Sequence, residues 1–358
     1  MINKSSKIYL AGHRGLVGSA IFNNLQEKGY TNVIGRTHSE LDLLDSVAVS
    51  RFFEDEKPDI VLLAAAHVGG IVANNVYRAD FIYKNLQIQN NVIGESFKHG
   101  VKKLLFLGST CIYPKEAPQP MSEDALLTGP LEYTNEPYAI AKIAGLKMCE
   151  SFNIQYGTNF IAVMPTDLYG PNDNFDLEKS HVLPAIIRKI HLSKALMEGN
   201  WNAIRRDIDA RPIEQVSGSS TVEEITAILN KYGISEKSLI LWGTGTPMRE
   251  FLWSEEMADA CVFILEHVDF ADLTNNKKEV RNCHINIGSG EEISIRDLAY
   301  LVKECVDYRG LIEFDSSKPD GTMRKLTDVS KLNALGWKHS IRVNDGVKML
   351  YEWYLNNL

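Results

Sequence analysis

Lys7-Ile8-Tyr9-Leu10-Ala11-Gly12-His13-Arg14-Gly15-Leu16-Val17-Gly18 decides the reading of the chain. The first five residues make a short buried strand. Ile21, Phe22 and Leu25 then recur at the spacing of the inner face of an amphipathic helix. Between strand and helix stand Gly12, Gly15 and Gly18. Glycines so placed let the backbone turn tightly and bring the helix N-terminus, with its unpaired N–H groups, against a pyrophosphate. A G-x-x-G-x-x-G in isolation also describes turns that bind nothing. Its position between a strand and a helix at the head of the chain points to a dinucleotide held by Gly12 through Gly18.

Residues 32–35 form the next strand, which ends at Arg36. An acid there would bond the ribose 2′-hydroxyl of NAD, whereas an arginine accepts the 2′-phosphate of NADP. Arg14 adds a second cation; the plainer reading of both is a solvated arginine. Residues 41–45, with Asp42 and Leu43, read as a loop bordering the adenine. Residues 59–66 are a buried strand with small residues at its end, 74–100 carry a mostly helical pattern, and 103–108 are a fourth strand delivering Ser109-Thr110-Cys111. This alternation predicts an α/β fold with a doubly wound, parallel Rossmann sheet, whose ligands sit beyond the carboxyl ends of the strands.

Glu136-Pro137-Tyr138-Ala139-Ile140-Ala141-Lys142 carries the chemistry. On a helix Tyr138 and Lys142 share one face. Of the fourteen tyrosines only Tyr138 has a lysine four residues on. An ammonium beside a phenol favours the phenolate, so the expected pKa of Tyr138 lies below the usual value of about 10. Such a tyrosine exchanges a proton with a substrate oxygen while hydride moves at the attached carbon.

Beyond a strand at 160–164, the sequence Pro165-Thr166-Asp167-Leu168-Tyr169-Gly170-Pro171 marks departure from the sheet. His181 precedes a helix carrying Arg188 and Lys189; residues 195–238 are polar and helical in pattern, structural or interfacial rather than a lid. Strand-like 239–242 leads to the stretch 243–251, ending Met248-Arg249-Glu250-Phe251, and a helix at about 254–267 and a strand at 284–287 rejoin the first domain. The organisation expected is an NADP-binding domain at 1–167, with about 250–288 returning to it, and a smaller C-terminal α/β nucleotide-sugar lobe from 168–249 and 289–358.

With 358 residues, 44% apolar and 23% charged, the composition is that of a soluble globular enzyme. A net charge of −8 argues against bulk nucleic-acid binding. Five dispersed cysteines without a C-x-x-C pair suit reduced cytoplasmic thiols and exclude a thiolate zinc cluster, and no metal is expected. No apolar run approaches the roughly 18–20 residues of a membrane span, and no signal-peptide pattern opens the chain.

The stretches AGHRGLVGSAI, AAAHVGGIVANN, LLFLGSTCIYP, NEPYAIAKIAGLKMCESFN, SHVLPA, WGTGTPMREF and SKPDGTMRKL closely resemble the GDP-L-fucose synthase family of extended short-chain dehydrogenase/reductases. The resemblance runs from near Lys7 almost to the end, interrupted mainly at 195–238. It implies an NADP(H)-dependent 3,5-epimerase/4-reductase of a GDP-linked 4-keto sugar, acting as a homodimer. Ser109 and Tyr138 would bond the C4 oxygen, Lys142 would hold the nicotinamide ribose, and Cys111 and His181 would be the acid/base pair for inversion. Leu107, Gly108, Pro165, Leu168 and His181 would line the cofactor. Lys189, Trp242 and Arg249, with Lys318 and Arg324, would meet the nucleotide sugar. Asp167 stands where the family usually has asparagine, and His67 where lysine is common. Relatives carrying the 195–238 insertion include reductases of GDP-4-keto heptoses, so a C4 reductase without epimerisation is the alternative. An NADP-sensing binding protein is the alternative of another class.

Overall fold

The computed structural model describes residues 2–275, 277–318 and 320–358, with Ile71 and Val72 described by their backbone alone. Pro319, within the 318–324 stretch read as near the GDP end, lies outside the described residues. In chain order the elements begin β1 (Ile8–Ala11), α1 (Leu16–Glu27), β2 (Val33–Ile34), α2 (Ser46–Glu56), β3 (Ile60–Leu63), α3 (Ile71–Val76), α4 (Arg78–Lys98) and β4 (Lys103–Leu107). There follow α5 (Glu136–Tyr156), β5 (Phe160–Pro165), β6 (Asp167–Tyr169), α6 (Val182–Met197), α7 (Trp201–Ala210), α8 (Val222–Lys231), β7 (Ser238–Trp242) and β8 (Met248–Trp253). The last are α9 (Ser254–His267), α10 (Phe270–Thr274), β9 (Ile285–Ile287), β10 (Glu292–Ser294), α11 (Ile295–Val306), β11 (Leu311–Asp315), β12 (Arg324–Lys325), α12 (Ser330–Leu335) and α13 (Val343–Asn356).

These elements fall into two compact units. One is Met1–Leu168, Glu250–Gly290 and Leu326–Ser340; the other is Tyr169–Arg249, Glu291–Lys325 and Ile341–Leu358. In the first, six strands pair in parallel in the order β2-β1-β3-β4-β5-β9. The chain leaves β1 one way for β2 and crosses back the other way to β3, so the switch point lies at the carboxyl end of β1. Strands β1, β3, β4, β5 and β9 are buried along their whole lengths, as parallel strands covered on both faces must be.

Alternate residues of each strand serve opposite faces. Ile8, Leu10, Ile60, Leu62, Leu105 and Val163 pack with Ile21 and Leu25 of α1 and Met257, Cys261 and Ile264 of α9. Tyr9, Val61, Leu63, Leu104, Phe106 and Met164 face Phe52 and Phe53 of α2, Val92 and Ile93 of α4 and Leu146 of α5. Each such apolar side chain contributes roughly 1.5–3 kcal/mol by leaving water. One contact is unusually close. A Cβ at Gly145 in α5 would stand 2.5 Å from the Phe106 ring and 2.8 Å from the Gln89 side-chain oxygen. The Gln89 amide donates to the Ala141 carbonyl at 2.6 Å, fixing α4 to the turn of α5 that carries Lys142.

Residues 326–340, read from sequence as part of the second lobe, group with the first unit instead. Leu332 and Trp337 are apolar and bury in the α1/α9 core, while Lys331 donates to the His284 carbonyl at 2.8 Å. The signal was a short amphipathic turn that either lobe could have accepted.

In the second unit β7 and β11 pair in parallel, and β12 pairs with the start of β8. The 195–238 segment supplies α7 and α8, whose Ile204, Ile208, Ile225 and Leu229 are fully buried. Asp207 of α7 is 0% exposed against Arg188 of α6 at 1%. Arg188 Nε and Nη2 reach Asp207 Oδ1 at 3.0 and 2.9 Å, and the Tyr354 hydroxyl donates to the other oxygen. Removing one member of so buried a pair strands the other's charge, at a cost of about 3–5 kcal/mol. Asp207→Ala should lower the unfolding free energy by that order in urea titration. A loss below about 1 kcal/mol, the range of exposed pairs, would show that the segment is held by apolar packing alone.

Candidate active site

The glycine loop is shaped by close backbone contacts. Gly12 has φ +87°, and a Cβ there would lie 2.7 Å from the Ala65 nitrogen at the end of β3; a Cβ at Gly18 would lie 2.0 Å from the Gly12 carbonyl oxygen. α1 starts at Leu16 with no side-chain cap and no acid in its first turn, leaving its N–H groups and positive dipole end to an anion. The His13 ring lies against Gly35, where a Cβ would meet it at 2.4 Å, and its Nδ1 is buried without a partner.

Cations gather beside this loop. Burial lowers the His13 pKa, and Arg14 and Arg36 lower it further against the opposing pull of Glu40. Arg36 is half-buried, donates to the Gly35 carbonyl at 2.9 Å and is held by Glu56 at 2.5 Å. The other Glu56 oxygen lies 3.2 Å from Lys7. Asp42 turns its carboxylate to the Leu44 N–H at 2.9 Å, and the Leu43 carbonyl accepts from Asn91 of α4 at 2.8 Å, so the 41–45 loop is fixed in place. Uncapped helix, close glycine backbone and neighbouring guanidinium groups fit a dinucleotide bearing a 2′-phosphate.

Ser109 leaves β4 in extended conformation, and its Oγ accepts the Cys111 N–H at 3.3 Å, opening a short 3₁₀ turn over Thr110–Ile112. Pro137 starts α5 where its missing N–H costs nothing. Tyr138 and Lys142 then lie one turn apart, with Lys142 Nζ 5.7 Å from the centre of the Tyr138 ring. Lys142 is buried and donates to the carbonyl of Leu107, the last residue of β4, at 2.8 Å. Burial pulls its pKa down to about 8, opposed by Cys111.

Tyr138 departs from the sequence expectation. Its phenol is pushed up, first by burial and then by Cys111. The ammonium does not rescue the phenolate because Lys142 is turned to the Leu107 carbonyl and is itself desolvated. Tyr138 therefore holds its proton at neutral pH. The interaction of Cys111 with both Tyr138 and Lys142 joins Ser109, Cys111, Tyr138 and Lys142 in one cluster at the carboxyl end of β4. Phe81 meets Tyr138 edge-on at 6.3 Å, and the His67 ring packs on Phe81 at 4.8 Å.

Around this cluster, Gly108 lies so near Met164 that a Cβ would meet its sulfur at 2.3 Å. Pro165 pairs with Ile287. Asp167 and Leu168 open β6, half-buried. The preceding Thr166 donates to the Glu250 carbonyl at 3.3 Å. Glu250, fully buried, accepts the N–H groups of Gly290 and Thr327 at 2.7 and 2.8 Å. Sequence reading passed over Glu250, because a glutamate next to Arg249 has the pattern of a solvated pair. It passed over Gly145 as well, since one helical glycine carries no mark of what approaches it.

In the second unit His181 is the N-cap of α6, exposed, while Lys189 farther along that helix is buried and its pKa is pulled to about 8 by desolvation. Trp242 ends β7 with 61% of its surface exposed, and Lys318 Nζ stands 5.6 Å from its ring centre. Arg249 donates to the Met248 carbonyl at 2.7 Å. Arg324 is taken up in two bonds to Glu292 at 2.9 and 2.6 Å, which leaves Lys318 better placed than Arg324 to meet an anion. Among the described residues no group of three or more His, Cys, Asp or Glu side chains could hold a metal.

If Arg36 receives a 2′-phosphate, Arg36→Ala should cut the kcat/KM preference for NADPH over NADH by about tenfold, mainly through KM. That is the order of one charge-assisted contact partly screened by solvent. Equal kcat/KM for the two cofactors in the unmodified protein would overturn the assignment.

Comparison with known proteins agrees with this geometry. The chain matches the NAD dependent epimerase/dehydratase family over residues 8–211 and 216–288. It is 51% identical to GDP-L-fucose synthase 1 of Arabidopsis thaliana over 358 residues, covering 100% of this chain and 96% of that protein. A solved GDP-6-OMe-4-keto-L-xylo-heptose reductase from C. jejuni superposes with TM-score 0.93 at 47% identity, covering 100% of this chain and 99% of that one. The GDP-mannoheptose C4 reductase from Campylobacter jejuni with NADP bound superposes with TM-score 0.88 at 46% identity, covering 99% of this chain and 100% of that one. A dinucleotide loop, a Ser–Tyr–Lys cluster on a doubly wound sheet and identity along the full length converge: the chain belongs to the NAD dependent epimerase/dehydratase family and, within it, to the GDP-L-fucose synthase family.

Proposed function

We propose that the protein is an NADPH-dependent oxidoreductase that reduces C4 of a GDP-linked 4-keto-6-deoxy sugar after inverting C3 and C5. The observation that carries this reading is the cluster of Ser109, Cys111, Tyr138 and Lys142 at the carboxyl end of β4. NADPH, when bound along the glycine loop, supplies the hydride. Ser109 and Tyr138 hold the C4 oxygen, and Tyr138 gives it a proton as the carbon is reduced. A phenol that keeps its proton at neutral pH suits this direction, since the alkoxide it meets is the stronger base. Lys142 orients the cofactor ribose, and the phenolate left on Tyr138 regains its proton from solvent.

Inversion uses the acidity of protons beside the ketone. Cys111 removes or delivers a proton on one face of the sugar and His181 does so on the other, through an enolate whose oxygen the same serine and tyrosine hold. Arg249, Lys189 and Lys318 meet the GDP moiety, the arginine through bidentate contact with a phosphate.

A second reading has support of its own. The similarity to the two Campylobacter reductases, and a carboxylate at Asp167, favour a heptose substrate reduced at C4 without inversion. An NADP-sensing protein, by contrast, would have no use for an intact Tyr138–Lys142 pair. The exposed Tyr83 of α4 and Ile140, Ile154 and Tyr156 of α5 support a homodimer through these helices. Among the described residues no helix is long and apolar enough to cross a membrane, and we place the enzyme in the cytoplasm on its dispersed free thiols.

Tyr138→Phe should lower the reduction rate by about 10²–10⁴-fold, the usual worth of one positioned acid, with NADPH binding retained; NADPH oxidation at the unmodified rate would refute the role. Cys111→Ser should still oxidise NADPH with GDP-4-keto-6-deoxymannose, yet return a product with C3 and C5 uninverted. In deuterated water the unmodified enzyme should place deuterium at an inverted carbon, read by NMR. Absence of deuterium at both carbons would leave the C4-only heptose reading standing.

A further inference from the structure

Asp173 lies in the loop before α6 and has no part in the chemistry above. Its N–H donates to the Gly170 carbonyl at 3.2 Å, and its Oδ1 accepts the Asn174 N–H at 2.7 Å. Its Oδ2 is buried and has no partner. An unpaired buried acceptor is costly, and more so when charged, so a fold that keeps one calls for an explanation. His181 is the ionisable group that acts on this carboxylate. Its backbone is extended at the N-cap of α6, and its side chain makes no cap bond there. The nearby Asp176 is already committed to the N–H groups of Glu178 and Lys179 at 2.9 and 2.8 Å. Asp176 and Glu178 act on Tyr232.

We propose that Asp173 is the positioning residue of His181, its unpaired oxygen accepting one ring N–H so that the other nitrogen is presented to the sugar. The inference rests on the acid/base role of His181 proposed above. A neutral imidazole has one N–H and one bare nitrogen, and the partner of the N–H decides which nitrogen works. A carboxylate on the N–H fixes the tautomer and balances the positive charge when the ring takes a proton from the sugar carbon; the Cys111 thiol delivers one to the opposite face, and exchange with solvent then removes the ring's proton and restores the thiol's. Burial pushes the Asp173 carboxyl up to about 6, with the Asn174 N–H and His181 pulling it back. Below that pH the carboxyl is protonated and its charge is lost, so proton exchange at the sugar declines as pH falls through about 6.

The test uses the full-length enzyme, NADPH and GDP-4-keto-6-deoxymannose in deuterated water from pH 5 to 8. Asp173→Asn should reduce deuterium incorporation at least about tenfold, part of what a positioned acid or base supplies. It should also erase the limb near pH 6. NADPH oxidation should stay near the unmodified rate, and Asp173→Glu should restore part of the exchange. Loss of exchange and reduction in equal proportion would mean a structural role only. Unchanged exchange in Asp173→Asn, with exchange present in the unmodified enzyme, overturns this inference alone. No exchange in the unmodified enzyme removes the epimerase reading and this inference with it.

Discussion

The approach of α5 to β4 is the constraint on which the site depends. A helix cannot lie so close to a strand with a side chain between them, and Gly145 is where that side chain is missing. The helix is thereby brought within reach of the strand's last carbonyl, and Lys142 uses that reach to bond Leu107. One residue farther along the chain β4 gives way to the loop that carries Ser109. Lysine and serine are thus registered to one another by the packing of their two elements, with the Gln89 bond to Ala141 stopping α5 from sliding along α4. The flexibility glycine brings to a helix interior, about 0.5–1 kcal/mol relative to alanine, is offset by the contacts it allows.

Within that frame, removal from water governs the charges. It discourages the ammonium of Lys142 and the phenolate of Tyr138 together, so both groups are pushed toward neutrality. A site in this condition answers strongly to any charge brought into it, since little solvent remains to screen the newcomer. Cys111 acts on both members already, so the thiol and the Tyr–Lys pair cannot change protonation independently of one another.

Much of the fold was legible because it is written in local pattern. The buried strands, the glycine loop and the helix at 254–267 follow from apolar runs and punctuation that involve only neighbours in sequence. The placement of Ser109 and Cys111 followed from the rule that ligands of a parallel sheet lie beyond the carboxyl ends of its strands, whereas their grouping with Tyr138 and Lys142 came from the family resemblance. What escaped depends on distant parts of the chain. The direction of the Tyr138 shift turns on how much water is removed and where the lysine points. The return of 326–340 to the first unit turns on which core had room for Leu332 and Trp337. The pairing of Arg324 with Glu292 and the burial of Glu250 likewise join residues that no spacing rule connects.

Glu56, which holds Arg36 while its other oxygen faces Lys7, bears on how quickly the enzyme can be reloaded. If Arg36 receives the 2′-phosphate, that phosphate exchanges one anion for another instead of meeting an unengaged cation, so its net gain is the difference between two ion pairs. The guanidinium has been ordered beforehand, which favours fast capture, while the waiting carboxylate favours fast departure. Spent and fresh cofactor carry the same phosphate, so a stronger grip would prolong the residence of both alike. A modest grip on that phosphate would then keep discrimination between phosphorylated and unphosphorylated dinucleotides while leaving cofactor release fast.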